Sequence, residues 1–282
     1  MSDVPTPEPP RRHSASARSL LLTVLGEFVL PSAKPVWTGT VVDCLAALGV
    51  EEKSARQALA RTATDGWITP ERHGRRTRWS LTVPGRRLLS EGAERIYSFA
   101  AQEPFWDGRW LVLMVSVPER QRQARHLLRT RLAWAGFGSP APGVWISANP
   151  DREAEAKQII ADLGLADGLF SFVGPFAGIG SPAGLVAQAW DLAEVARQYR
   201  SFIDGVTSMR ATVSARALAP LVAQVQLVHG WRRMPFVDPQ LPADLLPPDW
   251  IGREAAALFR AQHEQWAGPA EAAWTALDLR GG

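Results

Sequence analysis

Apolar positions early in the chain recur at the three-to-four-residue spacing of an amphipathic helix, then switch to strict alternation, then return to helical spacing. Leu20, Leu21, Val24, Leu25 and Phe28 mark a first helix that Pro31 is expected to close. A second helix starts at Thr38 or Thr40, turns Val41, Val42, Leu45 and Leu48 inward, and ends at Gly49. A third, over residues 52–64, gathers Ala55, Ala58, Leu59 and Thr62 on one face and leaves Ser54, Arg56, Gln57 and Arg61 elsewhere on its surface. Asp65 and Gly66 terminate it. The stretch WITPERHGRRTRWSL at 67–81 then alternates about an HGR turn, with Thr77, Trp79 and Leu81 on one strand face and Arg76, Arg78 and Ser80 on the other. Pro84 opens a further helix with Leu88, Leu89, Ile96 and Phe99 as its apolar positions.

Beyond PFWDG at 104–108 the pattern is of another kind. RWLVLMVSV (109–117) predicts a buried strand, Pro118 to Ala135 an amphipathic helix carrying Leu127, Leu128, Leu132 and Trp134, and PGVWIS (142–147) another strand. Asp151 to Leu163 is helical, and LFSFV (169–173) a last strand. Together these give strand, helix, one or two strands, helix, strand, the pattern of a ferredoxin-like βαββαβ unit with its helices on one side of a small sheet. From Pro182 onward the chain reads as helix. Leu185, Ala189, Leu192, Ala196 and Tyr199 form one stripe and Leu221, Val222, Val225 and Val228 another, leading into HGWRR at 229–233. A proline-rich crossing loop spans 235–248, Asp249 caps a helix bearing Ala255, Leu258, Phe259 and Trp266, and a separate short helix is expected from Ala270 to Leu277. The predicted class is α+β: a disordered tail at 1–14, a winged helix-turn-helix at 15–103, a ferredoxin-like unit at 104–180 and a helical domain at 181–282.

Composition narrows the function. With 282 residues and 46% apolar content the chain can bury several cores. No run nears the roughly 20 apolar residues that cross a bilayer, so a cytoplasmic protein with no membrane partner is expected. The single cysteine, Cys44, excludes an internal disulfide and a thiolate metal cluster, and buried filler is its expected role. The net charge of +3 conceals a local excess. Lys53, Arg56, Arg61, Arg72, Arg75, Arg76, Arg78, Arg86 and Arg87 face only Glu51, Glu52, Asp65 and Glu71 in that stretch. Such a patch is either the footprint of phosphate binding or the solvated face of an ordinary arginine-rich domain.

The order of three helices and a basic hairpin favours the former, because a short third helix can enter the major groove while the hairpin grips the adjacent backbone. Arg56, Gln57 and Arg61 suit base edges, with Ser54 beside them, and Arg72, Arg75, Arg76 and Arg78 suit phosphates. No GxSxG, HExxH or strand-linked phosphate loop is present, so neither an enzyme nor a cofactor or metal site is expected. The chain carries 12 tryptophans, and most are expected in cores. An aromatic cavity near Arg109, Arg232 or Arg233, with Trp110, Trp145 and Trp231, would suit a ligand joining an apolar ring to anionic phosphates. His229 is either a helix-end histidine held by a backbone carbonyl or a contact to that ligand.

DGWITPERHGRRTR at 65–78, Ile96 with Tyr97, FWDGRW at 105–110, GFGSPAPGVWIS at 136–147 and HGWRRMPFVDPQLPADLLPPDW at 229–250 together resemble the PaaX family of bacterial repressors of phenylacetic acid catabolism. The resemblance runs from about Ala17 to Trp274. It implies a homodimer that binds a palindromic double-stranded operator and is released by an aryl-CoA thioester, typically phenylacetyl-CoA. It also implies a central domain like the ferredoxin-fold subunit of CRISPR adaptation complexes, some of which are metal-dependent nucleases. That is the alternative function, and here the first strand of the unit ends Val115, Ser116, Val117, Pro118 without the nuclease aspartate. Two departures stand out: Gly230 replaces a glutamate of the family pattern, and the hairpin has Thr77, Arg78 and Trp79 where tyrosines are common.

Overall fold

The computed structural model of the chain describes residues 16–165, 169–211 and 217–281, and the tail expected over 1–14 lies outside the described residues. Helices and two antiparallel sheets alternate along it, so the fold is α+β. Tertiary contacts group the chain into two units, Met1–Ser90 with Glu271–Gly282, and Glu91–Ala270.

In the first unit, α1 (Ala17–Val24) starts where the Ser16 hydroxyl accepts the Ser19 N–H at 3.1 Å. A π-helical turn (Leu25–Val29) and the short α2 (Leu30–Ser32) follow. The helix therefore outlasts Pro31, which was expected to close it; the stop is Ala33 in the left-handed conformation (φ 52°). A two-residue strand, β1 (Val36–Trp37), has no counterpart in the sequence reading, because two residues are too few to show alternation. Next come α3 (Thr38–Ala47) and α4 (Glu52–Thr64), the latter with the expected bounds and with Ala55, Ala58, Leu59 and Thr62 buried. The two alanines let α4 approach α1 and α3 closely, and Leu59 fills the core between them. The hairpin of β2 (Ile68–His73) and β3 (Arg76–Leu81) pairs from Ile68 opposite Leu81 to His73 opposite Arg76, and β1 adds to its β3 side.

Two features lock this unit. In α5 (Val83–Ser98), Gly85 lies so close to Trp67 that an added Cβ would fall 1.9 Å from its carbonyl oxygen. The end of α11 (Gly252–Gly281) also belongs here: Trp274 stacks on Phe28 at 5.0 Å, and the Asp278 carboxylate accepts the Thr40 hydroxyl at 2.7 Å. The helix break expected before Ala270 is absent. α11 begins at Gly252 rather than at Asp249 and runs through Pro269. A proline costs the helix one hydrogen bond, but Trp266, Ala270, Trp274 and Leu277 are all buried at helical spacing across it, which holds the path continuous.

The second unit contains a sheet of β4 (Arg109–Val115), β5 (Gly138–Ala141), β6 (Val144–Ser147) and β7 (Leu169–Pro175) in the order β5-β6-β4-β7. The strand expected to reach 117 stops at Val115, and Met114 on it is 46% exposed. Leu111, Leu113 and Val115 pack with Leu128 and Leu132 of α6 (Arg122–Trp134) and Ile160 of α7 (Glu153–Asp162). Trp110 and Ile146 pack instead with Val186 of α8 (Pro182–Ala189) and Leu245. Trp134, placed with the apolar positions of its helix, is largely exposed.

The stripe from Leu185 to Tyr199 is divided between two helices. α8 stops at Ala189, and the Asp191 carboxylate caps α9 (Leu192–Arg210) by accepting the Glu194 N–H at 2.8 Å. With α10 (Ala219–Trp231) and α11, α9 encloses an aromatic core centred on Trp231, which stacks on Phe259 at 4.7 Å beside Phe99, Tyr199 and Phe202. The Cβ missing from Gly230 would meet the Phe202 ring at 3.2 Å, so the departure at this position leaves room for that ring.

Candidate functional site

Burial of one face of α4 dictates what its other face offers. Lys53, Arg56, Gln57, Ala60 and Arg61 are exposed and Ser54 is half-buried. Arg56 is held by Glu52 one turn back, Nε to Oε1 at 2.8 Å. Across a surface this open such a pair contributes little stability and yields readily to a phosphate or a base. The hairpin turn at Gly74 (φ 62°) carries Arg72, Arg75 and Arg76 into solvent. No described carboxylate pairs with these three, and Glu71 instead faces His73 at 3.2 Å.

Arg78 is placed differently from the other hairpin arginines. Its guanidinium lies 4.0 Å over the Trp37 ring, and its buried Nε finds no hydrogen-bond partner among the described residues. Trp37 is also met edge-on by His73. The Trp79 indole donates to the Thr38 hydroxyl at 2.9 Å, which in turn donates to the Thr77 carbonyl, so β3 is fastened to the start of α3. The arginine-bearing surface is thus a rigid hairpin with three free-standing cations and one stacked cation.

The seven residues singled out for a ligand are spread through the second unit. Arg109 is clamped by Asp107, whose carboxylate accepts from its Nε at 2.6 Å. That bond holds the Asp107 carboxyl below its ordinary range. Trp110 is buried in the sheet core, Trp231 in the helical core, and neither indole N–H has a partner among the described residues. Trp145 lines a cavity of about 920 Å³ between the sheet and the proline-rich crossing. His229 and Arg232 are half-buried at the end of α10, and Arg233 is exposed. Burial, then the charges of Arg232 and Arg233, push the His229 pKa down to about 4, so its imidazole is neutral at physiological pH.

Two other cavities contain groups that periodicity did not reveal. One, of about 230 Å³, is walled by Phe99, Leu241, Leu246 and Trp250 around Tyr199 and Asp238. The Tyr199 hydroxyl donates to Asp238 at 2.5 Å, and the Gln240 N–H donates to the other carboxylate oxygen at 2.7 Å. Burial raises the Asp238 pKa, with these two bonds opposing it. The other, of about 500 Å³, shares Phe99 and Gln240 with the first and brings Arg95, Arg131 and Arg152 together from three distant stretches. A local clue to it was Gly136, where an added Cβ would strike the Arg152 guanidinium.

β4 runs out through Val115 and Ser116 without a carboxylate. Among the described residues no group of three or more His, Cys, Asp or Glu could hold a metal ion, and no helix is long and apolar enough to cross a membrane. Cys44 is buried in the first unit, which pushes its thiol up to about 12 and leaves it unreactive.

A sheet of strand order β5-β6-β4-β7 with an arginine-edged helical unit describes a class of two-unit α+β proteins, and sequence comparison places the chain within it. Residues 16–85 match the family model of a PaaX-like protein, 103–186 that of the PaaX protein central Cas2-like domain, and 190–276 that of the PaaX-like protein C-terminal domain. The chain is 32% identical over 252 residues to the transcriptional repressor PaaX of Escherichia coli (strain K12), covering 86% of this chain and 78% of that protein. The chain belongs to the PaaX family. An uncharacterised protein of Mycobacterium tuberculosis shares the fold at 24% identity with a TM-score of 0.61, over 93% of this chain and 98% of that one.

Proposed function

We propose that the protein is a cytoplasmic, non-enzymatic transcriptional repressor that binds operator DNA as a homodimer and controls phenylacetic acid catabolism. Membership of the PaaX family and the E. coli relative's name support the repressor reading. The observation that carries it is the exposed face of α4, with Arg56, Gln57 and Arg61, in the same unit as the solvent-facing Arg72, Arg75 and Arg76. In this reading α1, α3, α4 and the β1-β3-β2 sheet form a winged helix at 15–103. Helix α4 lies in the major groove, where arginine reads guanine and glutamine adenine, and the hairpin grips phosphates. The middle unit at 104–180 is ferredoxin-like, which its strand order supports, and the helical domain at 181–282 completes the body.

The effector is an aryl-CoA thioester such as phenylacetyl-CoA, and its preference for one of two dimer geometries releases the operator. Footprinting on the DNA upstream of the gene, with and without phenylacetyl-CoA, tests the proposal. Protection that disappears on adding the thioester supports it, and no protection at low salt overturns it.

A further inference from the structure

We infer that the cavity walled by Arg95, Arg131 and Arg152 binds a small organic ligand that carries several phosphate charges and a planar ring. The inference deepens the effector reading, on which it rests only for the ligand's physiological identity.

The three guanidinium groups come from α5, α6 and the turn after β6, and Glu155 is the one carboxylate among the described lining residues. Arg152 is the telling member. It is largely buried, packs over Gly136 and donates to the Ala135 carbonyl, yet no described carboxylate lies within 4.0 Å of it. Burial lowers its pKa, with Glu155 opposing. A guanidinium does not lose its proton in a protein, so the cost of burying it stands until an anion arrives. Arg131 is shared with Asp162 at 3.2 Å, an exposed pair that a phosphate can displace.

Arg95 supplies the third cation and the link to a ring site. Its guanidinium lies 5.4 Å over Phe236, and Phe236 meets Trp134 edge-on at 5.8 Å. Trp134 is 58% and Phe236 40% exposed, a pair of large aromatic surfaces left open beside arginines. Arginine forks bind phosphate oxygens in pairs, and an open indole accepts a stacked planar ring. The volume, about 500 Å³, lies in the range of small-molecule sites. Duplex DNA fits less well, because Arg152 is recessed within the cavity whereas backbone contacts need side chains that reach outward.

The test is calorimetric titration of the full-length protein with phenylacetyl-CoA, CoA, ATP and inorganic pyrophosphate, with tryptophan fluorescence followed in parallel. R95A and R131A, both near the surface, are expected to weaken the organic phosphates by about tenfold each. W134F is expected to abolish the fluorescence quench, and R152Q to weaken binding provided its melting temperature stays at the wild-type value. Tight ATP or CoA binding lost in R95A and R131A, without any preference for the thioester, supports the cavity and removes the aryl-CoA reading. Thioester binding that is unchanged in R95A, R131A and W134F overturns the cavity and leaves the effector reading standing. Failure of every probe, or pyrophosphate binding as tightly as the organic ligands, also overturns the inference. So does loss of operator affinity in R95A when no ligand is present.

Discussion

The guanidinium of Arg78 stacks at 4.0 Å on the ring of Trp37, its register partner across the β1–β3 ladder. A cation held this way packs the hairpin, whereas Arg75 and Arg76 at the turn are in solvent. The double variant R75A/R76A is therefore expected to weaken binding to every duplex and to flatten the salt dependence by roughly two units of slope, about 0.9 for each phosphate no longer neutralised. R78A is expected to lower the melting temperature and to change the slope less. Anisotropy titrations in a salt series, with thermal melts, separate the two, and equal slopes in both variants would contradict the division of roles.

Base reading is assigned to the exposed face of α4. Q57A or R61A is expected to cost about 1–3 kcal/mol at a single operator position and little elsewhere. Binding measured against a panel of singly substituted operators shows this directly; a uniform loss across the panel would mean that these side chains touch only backbone.

Gly85 has no room for a side chain. Because its Cβ would sit 1.9 Å from the Trp67 carbonyl oxygen, G85A is expected to destabilise the first unit by about 3 kcal/mol through forced backbone movement. Urea unfolding of the variant measures it. A wild-type midpoint would show that α5 can shift without cost.

The Asp278 carboxylate, near the end of the chain, accepts from Thr40 at 2.7 Å and from the Trp37 N–H at 3.4 Å. D278A leaves the Thr40 hydroxyl, which is fully buried, without this acceptor, and is expected to cost about 1–3 kcal/mol. A thermal melt identical to wild type would show that the hydroxyl finds another acceptor.

His229 gives stability a pH dependence. Its folded pKa of about 4 lies below the ordinary 6.5, so between those values the unfolded chain takes up the proton that the folded chain refuses. The fold is at full strength in this respect above about pH 6.5 and loses stability as pH falls toward 4. Asp238 acts in the opposite sense, because its raised pKa makes the folded chain the better proton acceptor. H229N is expected to reduce the loss of melting temperature between pH 7 and 4.5 relative to wild type, and identical pH profiles would remove His229 as the source.

Much of the secondary structure was legible from residue spacing alone. Helix α4, the hairpin, and the alternation of strands and helices in the middle unit need only neighbours in sequence, since periodicity reports which face is buried. The reading failed where a distant contact overrides a local signal. Pro269 sits inside a helix because the buried tryptophans on either side of it keep one course, and the apparent stripe from Leu185 to Tyr199 conceals a break capped by Asp191. Trp110 and Trp231 were candidates for ligand contact on composition, yet both are enclosed within cores.

By itself, then, the amino-acid order determined the α+β class, the amphipathic faces, the arginine excess at 51–87 and the family motifs, all of which are properties of short stretches. The tertiary structure alone decided that Trp274 and Asp278 close the first unit, that Arg78 packs while its neighbours stay free, and that Arg95, Arg131 and Arg152 converge on one cavity. Bringing together groups so far apart in sequence depends on how whole elements pack, and no local pattern records that packing.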